Sequence, residues 1–223
     1  MQALHAPLST LHEQPMSQLD PNRRFQIAYD RARADWAAAD PARSAALAGC
    51  VRVPEGVIVP YFGRPHLLTH PDGEAVVQAT GRPSGTAHMT IAIVLAHYLL
   101  TADGTPPADR WLAFRELPDG LFYAQAFAGH AEGEIAQKLG ANVAGFRNAA
   151  AALGGQPLDL ADASFRFQAF PRLAVAVLLW ASDDEFPAQA RVLFDAHAGH
   201  YLPTEDLAGT GDWLAHKLVH TPK

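Results

Sequence analysis

The pattern of hydrophobic and polar residues is most informative between residues 165 and 195. Residues 173–180 read LAVAVLLW, an uninterrupted apolar run whose length and β-branched content predict a strand buried on both faces. The preceding FRFQA at 165–169 alternates apolar and polar side chains, as a half-buried strand does, and RVLFD at 191–195 is short enough for a third strand. Pro187 interrupts the residues between the second and third strands. We therefore expect an antiparallel meander with an acidic loop at one end.

Helical spacing and start signals predict the remaining helices. Asp-Pro pairs at 20–21 and 40–41 each offer an N-cap followed by proline at the first helical position. Residues 86–101 (TAHMTIAIVLAHYLLT) are apolar nearly all round and predict a helix buried in the core rather than a membrane span. Further helices are expected at 131–139, at 143–153 and from 203 to about 219.

Short apolar runs separated by turn residues predict a second group of strands between residues 51 and 77. These are VRV, VIVPYF, PHLLTH and EAVV, and Asp72-Gly73 before the last is a strong hairpin signal. The fold class is therefore α+β, a largely antiparallel sheet packed against a buried helix and additional helices. We expect residues 1–19 to form a loose tail and residues 20–223 a single domain.

Composition narrows the classes of function. The 223 residues carry a net charge of -6 and contain no block of basic residues, which argues against nucleic acid and anionic membranes as partners. A single cysteine, Cys50, excludes an internal disulfide and a cysteine-ligated zinc or iron-sulfur site within one chain. No export signal or span of about 20 apolar residues is visible. We expect a soluble, cytoplasmic protein.

Three blocks resemble one uncharacterised bacterial and archaeal family, known only as a domain of unknown function. They are VPYFGRPHLLTHPDGE (59–74), LAHYLLTADGTPPADRWLAFRELPDGLFY (95–123) and LLWASDDEFPAQARVLFDAHAGHYLPTEDL (178–207). The order of the blocks is the same as in that family. Some relatives are similar to proteins labelled iron-sulfur because they carry a separate cysteine-rich module, which this chain lacks. The resemblance implies no established reaction and no catalytic residue set.

Two groups near the predicted meander could carry chemistry. Asp184 and Glu185 sit in the acidic loop, where neighbouring carboxylates raise one another's pKa or hold a hard cation. The alternative is a solvated loop that blunts a sheet edge with charge. Asp195, His197 and His200 follow the third strand and could ligate zinc, iron or manganese, although their spacing is no defined metal signature. The two histidines could instead cap or line a loop.

Four further residues are candidates for ligand binding. His97 lies on the apolar helix, where it is either a satisfied core histidine or a ligand to a buried metal or tetrapyrrole. Arg64 at a tight turn could hold a carboxylate or phosphate bidentately. Glu116, before a Pro-Asp-Gly turn, and Glu205, in the first turn of the final helix, have caps or surface positions as their alternatives.

These patterns support three hypotheses about function. The first is an accessory or binding protein that holds a small molecule, metal or redox cofactor of unknown identity in a pocket between the sheet and the buried helix. The second is an enzyme using acid-base or metal-assisted chemistry, and the third is a protein-interaction domain. For either kind of site we expect several polar groups to line one cleft, with Glu116 or Arg64 reaching its rim. The expected lining is His200, Asp195, Glu205 and at least one of Asp184 and Glu185.

Overall fold

The computed structural model describes residues 21–83 and 88–221, and these form seven α-helices, ten strands and several short helical turns. The predicted tail, the N-cap at residue 20 and the first residues of the predicted buried helix lie outside this range. The helices are α1 Pro21–Ala37, α2 Pro41–Ala48, α3 His88–Thr101, α4 Ala124–Phe127, α5 Gly133–Leu139, α6 Val143–Ala152 and α7 Thr204–His220. A π-helical turn, Ala128–Glu132, joins α4 to α5, and 3-10 turns lie at Phe114–Glu116, Gly120–Phe122 and Ala198–His200.

The first sheet is an antiparallel meander in chain order. Its strands are β1 Val51–Val53, β2 Gly56–Tyr61, β3 Arg64–Thr69, β4 Ala75–Val77 and β5 Arg82–Pro83. The predicted hairpin before β4 is present, and Gly73 in its loop has a φ of 68°, a conformation that costs glycine little. Helix α1 covers this hairpin, since the Trp36 indole donates to the carbonyl of Thr69.

The second sheet has the order β6-β10-β9-β8-β7, again antiparallel throughout. Its strands are β6 Trp111–Ala113, β7 Gln156–Leu158, β8 Ala163–Phe170, β9 Leu173–Trp180 and β10 Gln189–Asp195. The apolar run LAVAVLLW is β9, and all its residues except Trp180 are buried. The prediction of an interior strand is confirmed, because only a strand between two neighbours with both faces covered needs apolar side chains at every position.

Helix α3 connects the two sheets and lies in the core. The Tyr98 hydroxyl donates to the carbonyl of Ala48 at 2.7 Å and accepts from the amide of Arg172 at 3.1 Å, so it joins α2 to the β8–β9 turn. The Tyr98 ring stacks on Phe170 with centroids 4.2 Å apart. A backbone hydrogen bond from Phe62 to Ala169 ties the sheets directly. The α+β layout is therefore as predicted, with two sheets rather than one.

The long helices differ in how much of their surface they bury. Within residues 21–83 and 88–221, no helix has both the length and the apolar character needed to cross a bilayer. Helix α7 packs against α5 and α6 and contributes Leu207, Leu214 and Leu218 to the core, as its spacing predicts. Asp206 near the start of α7 and His216 and His220 near its end are partly or fully exposed.

Candidate functional site

A cleft between α1, α3 and α7 is the best candidate for a functional site. It has a volume of about 240 Å³. Helix α3 contributes Ile91, Ile93 and Val94 to its apolar wall, and Tyr61 of β2 reaches it from the first sheet. The lining residues are Phe25, Ala28, Tyr61, Thr90, Ile91, Ile93, Val94, His97, Glu205, Asp206, Gly209, Thr210 and Trp213. An apolar wall with a few polar groups is the usual composition of a small-molecule pocket.

The polar groups of the cleft centre on a histidine-carboxylate pair. His97 Nδ1 donates to Asp206 Oδ2 over 2.5 Å, and both side chains are partly shielded from solvent. The hydrogen bond to Asp206 raises the pKa of His97, against the opposing effect of burial, and the charges of Asp206 and Glu205 raise it further. Because Nδ1 donates its hydrogen bond to Asp206, Nε2 is the ring nitrogen that remains for a bound molecule.

Aromatic packing fixes the inner wall of the cleft. The Trp213 ring stacks on Phe62 with centroids 4.5 Å apart and lies 5.3 Å from Tyr61. Burial raises the pKa of Tyr61, and the Thr210 hydroxyl beside it offsets part of that rise. This contact lacks the geometry of a regular hydrogen bond, so Thr210 Oγ1 is a buried polar atom without a well-formed partner in the part of the chain described. The cleft therefore contains hydrogen-bonding capacity that the protein itself leaves largely unused.

Two of the predicted ligand-binding residues, His97 and Glu205, come together in this cleft. The expectation that His97 is a core histidine needs correction, because its side chain is 33% exposed and paired with Asp206. His97 lies on the side of α3 that faces α7, not on a side that packs against the sheets. An aspartate at position 97 would accordingly meet a like charge at Asp206, instead of standing uncompensated in an apolar core.

The Asp195 carboxylate at the end of β10 is hydrogen-bonded to the backbone. It is buried and accepts hydrogen bonds from the amides of Ala108, Asp109 and His197 at 2.8–2.9 Å. These bonds hold the loop that precedes β6. All three donors are backbone amides, so the carboxylate already has partners for most of its lone pairs. Its role is to stabilise the backbone around it.

The two histidines after β10 point to separate partners. His197 Nδ1 donates to the carbonyl of Pro106 and His200 Nδ1 to the carboxylate of Asp103. The bond from His200 lowers the pKa of Asp103. The metal site predicted at Asp195, His197 and His200 stays a prediction, which these contacts do not favour.

The acidic loop lies at the far end of the second sheet from His200. Gln189 at the start of β10 pairs with Trp180, whereas Asp195 ends the strand, so about 20 Å of strand separates the two ends. Asp184 and Glu185 are exposed in a turn that Asp183 stabilises by accepting from two amides. The expected convergence of this loop with His200 in one cleft is therefore wrong, because antiparallel pairing places consecutive loops at opposite ends.

The remaining predicted residues lie apart from the cleft. Glu116 accepts a hydrogen bond from the amide of Ala113 at 2.7 Å and so caps its own 3-10 turn. The Arg64 side chain is exposed at the start of β3. Neither residue lines the cleft with His97, and for both the ligand-binding prediction stays a prediction.

A second cleft, of about 290 Å³, lies beside the π-helical turn. The buried carboxylate of Glu132 accepts there from the Arg191 guanidinium and from the amide of Val192, both at 3.1 Å. Glu132 thus covers the free edge of β10 beyond the short strand β6. None of the described residues that line it has a buried polar side-chain atom without a hydrogen-bond partner, whereas Thr210 in the cleft at His97 does.

Three residues of the cleft, Asp206, Tyr61 and Trp213, were not among the candidates predicted from the sequence. Asp206 lies in the first turn of α7, where an acidic residue is common because it opposes the positive end of the helix dipole. Its spacing to Gly209 and Trp213 places the three on one helical face, which is the signal that could have been used. Their meeting with His97, 109 positions away from Asp206, depends on tertiary packing.

The fold and the cleft define an α+β protein with a small, mostly apolar cavity and a histidine-carboxylate pair at its opening. Residues 40–217 match the model of a family described as a domain of unknown function, DUF3786, and the chain belongs to that family. Comparison with curated proteins finds no significant match. Comparison with solved structures finds none either.

Proposed function

We propose that this protein binds a small molecule with an apolar body and a cationic group in the cleft between α1, α3 and α7. The observation that carries the proposal is the His97–Asp206 pair at the opening of an otherwise apolar cavity. Hydrophobic burial would supply most of the affinity, and the polar groups would orient the ligand.

The size of the cleft limits the ligand. Small-molecule pockets commonly measure about 300–1,000 Å³, and this cleft of about 240 Å³ is below that range. A molecule of one or two rings fits this volume better than a tetrapyrrole. An iron-sulfur cluster is not part of the proposal, because Cys50 is the single cysteine and burial raises its pKa to about 12.

The charge at the opening favours a cation. Glu205 and Asp206 bring two carboxylates, and a protonated His97 compensates one of them. The rim then keeps one negative charge, which would attract an amine and repel a carboxylate. The Trp213 ring already contacts Phe62 and the Lys217 ammonium. Together with Tyr61 it forms an aromatic wall against which a ring attached to the cationic group would pack.

A second candidate is an enzyme in which His97 acts as a general base. A carboxylate that orients a histidine is the arrangement such a base requires, and the same hydrogen bond provides it. The two candidates differ in whether a bound molecule is changed, so one experiment distinguishes them.

The test uses the full-length protein and a matched set of probes, benzylamine, benzyl alcohol and benzoate. Two-dimensional NMR would follow the signals of Trp213 and His97 during each titration. We expect benzylamine to bind with a millimolar or tighter Kd, equivalent to about -4 kcal/mol or better, and benzoate to bind more weakly. Deuterium incorporation into a small enolisable aryl ketone, lost in His97→Gln, would support the enzyme.

Gly209 offers a matched pair of control variants. A Cβ at this position meets no atom within 4 Å, so Gly209→Ala leaves the cleft open, whereas Gly209→Leu extends into it. Both changes favour the helix by up to about 1 kcal/mol, so neither should impair folding. We expect Gly209→Leu alone to abolish binding. Equal binding by the two variants, or no response of the cleft to any probe, would refute the proposal.

A further inference from the structure

A group of potential metal ligands lies on α7 about 15–20 Å along the helix axis from Asp206. It consists of Glu134 on α5 and of His216 and His220 on α7. Their ligand atoms all lie within 4.8 Å of one another, and no other set of three or more histidine, cysteine, aspartate or glutamate residues in 21–83 and 88–221 comes together in this way. None of the three residues contributes to the cleft at His97.

The two histidines are spaced for joint ligation. They stand four residues apart in the segment HKLVH, so both side chains project from the same face of α7. Their rings stack with centroids 4.1 Å apart and planes inclined by 28°. The same i, i+4 spacing allows two helical histidines to bind one zinc ion in metalloproteases.

The backbone of α7 fixes the tautomer of the His220 ring. His220 Nδ1 lies 2.9 Å from the carbonyl of His216, and a carbonyl only accepts, so Nδ1 carries the proton. The lone pair of His220 is therefore on Nε2 and free to bind a metal ion. Metal-binding histidines usually donate their other nitrogen in this way, which fixes the ring and increases its basicity.

Glu134 supplies the third ligand from a different helix. Helices α5 and α7 pack against each other, and this contact brings the carboxylate to the two imidazoles. Tetrahedral zinc with bonds of about 2.0–2.1 Å requires ligand atoms about 3.4 Å apart. Both histidines are exposed and Glu134 is half-buried, so small rotations of these side chains would close the remaining distance.

One more carboxylate, that of Asp212, lies close to Glu134. Asp212 precedes His216 by one helical turn. Its carboxylate interacts electrostatically with His130 and Glu134. Its Oδ1 atom is buried and has no hydrogen-bond partner in the described part of the chain. A cation bound at Glu134 would also compensate the charge of this carboxylate.

We propose that Glu134, His216 and His220 form a binding site for a divalent transition-metal ion of the zinc class. Two imidazoles and one carboxylate suit Zn²⁺, Co²⁺, Ni²⁺ and Cu²⁺, whereas Mg²⁺ and Ca²⁺ prefer oxygen ligands throughout. Three protein ligands leave one tetrahedral position for water or an anion. The ion would also clamp the last turns of α7 onto α5.

The experiment is a metal titration of the full-length, chelator-treated protein. Competition with a chromophoric chelator would measure the affinity for Zn²⁺, and the visible spectrum with Co²⁺ would report the coordination geometry. We expect one ion per chain, an intense tetrahedral Co²⁺ spectrum and a higher melting midpoint with Zn²⁺. Replacing an outer partner of a metal site costs about 10–100-fold in affinity, so His216→Gln, His220→Gln and Glu134→Gln should each cost at least tenfold.

The controls are Gln137→Ala on α5 and Gln156→Ala on β7, which change exposed polar side chains outside the three ligands. They should leave the affinity for Zn²⁺ unchanged. His216 and His220 are exposed, so their variants should keep the melting midpoint of the metal-free protein. The proposal fails if the affinity survives His216→Gln and His220→Gln, or if the control variants remove it. It also fails if Zn²⁺ leaves the melting midpoint unchanged.

Discussion

At the scale of single residues, His97 shows how one hydrogen bond changes the pKa of a side chain. Its helix is apolar nearly all round, and a core histidine would be expected to stay neutral. The contact with Asp206 reverses that expectation by stabilising the protonated ring. The hydrogen bond therefore makes His97, at the opening of the cleft, more readily protonated than burial alone would allow.

The first prediction concerns the pH dependence of this pair. The pKa of His97 is raised above its usual 6.5 in the folded protein, so the stabilisation is complete below that value and is lost as pH rises through the folded-state pKa. His97→Gln should thus lower the free energy of unfolding at pH 5.5 by about 0.5–1 kcal/mol, since solvent screens the pair, and by less at pH 9. Urea denaturation at both pH values measures the difference.

Asp206→Asn is the matched control for that measurement. Because it removes the partner of the same hydrogen bond, it should flatten the pH dependence equally, and the double variant should add nothing further. A constant difference between the wild type and His97→Gln from pH 5.5 to 9 would show that the pair does not titrate in this range.

At the scale of elements, Gly56 shows why the first sheet requires one particular residue. It begins β2 opposite Thr69 of β3, and a Cβ there would lie 2.0 Å from the carbonyl oxygen of Leu68. That oxygen belongs to the backbone of a paired strand and cannot move aside as a flexible side chain would. The close approach of the two strands therefore depends on the absence of a side chain.

The second prediction follows from this contact. Gly56→Ala should lower the free energy of unfolding by about 2–3 kcal/mol, through displacement of β2 from β3. Gly199→Ala, where a Cβ meets no atom within 4 Å, should change it by no more than about 0.5 kcal/mol. Chemical denaturation of both variants checks the difference, and similar midpoints would contradict the geometry at Gly56.

At the scale of the whole molecule, α3 makes the two sheets depend on each other. Tyr98 joins α2 to the β8–β9 turn, and its ring packs on Phe170, which in turn lies 4.9 Å from Tyr61 of the first sheet. A chain of buried contacts thus runs from one sheet to the other. We propose that the described residues unfold as one cooperative unit.

The third prediction tests this unit with two single-tryptophan variants. Trp36 reports on the first sheet and Trp111 on the second. The fluorescence of the two tryptophans should give the same denaturation midpoint. Tyr98→Phe should lower the free energy of unfolding by about 1–3 kcal/mol, because two hydrogen bonds are lost, and both tryptophans should report the same decrease. Separate midpoints, or a shift confined to one tryptophan, would indicate two independent domains.

The sequence by itself determined those elements whose burial is uniform along their length. LAVAVLLW specifies an interior strand because every position must be apolar, and the Asp40-Pro41 pair specifies a helix start because the cap acts on its own neighbours. Both signals are local, and the structure confirms them. The division of the strands into two sheets was not visible, since strand runs do not show where one sheet ends.

Only the tertiary structure decided which polar residues meet. Asp195 looked like a ligand and instead holds three backbone amides, because the fold brings the loop before β6 against the end of β10. His97 and Asp206, like Glu134 and His216, are far apart in the chain and come together only through packing against α7. Local spacing encodes which face of a helix a side chain occupies, but the partner on that face depends on the packing of distant elements.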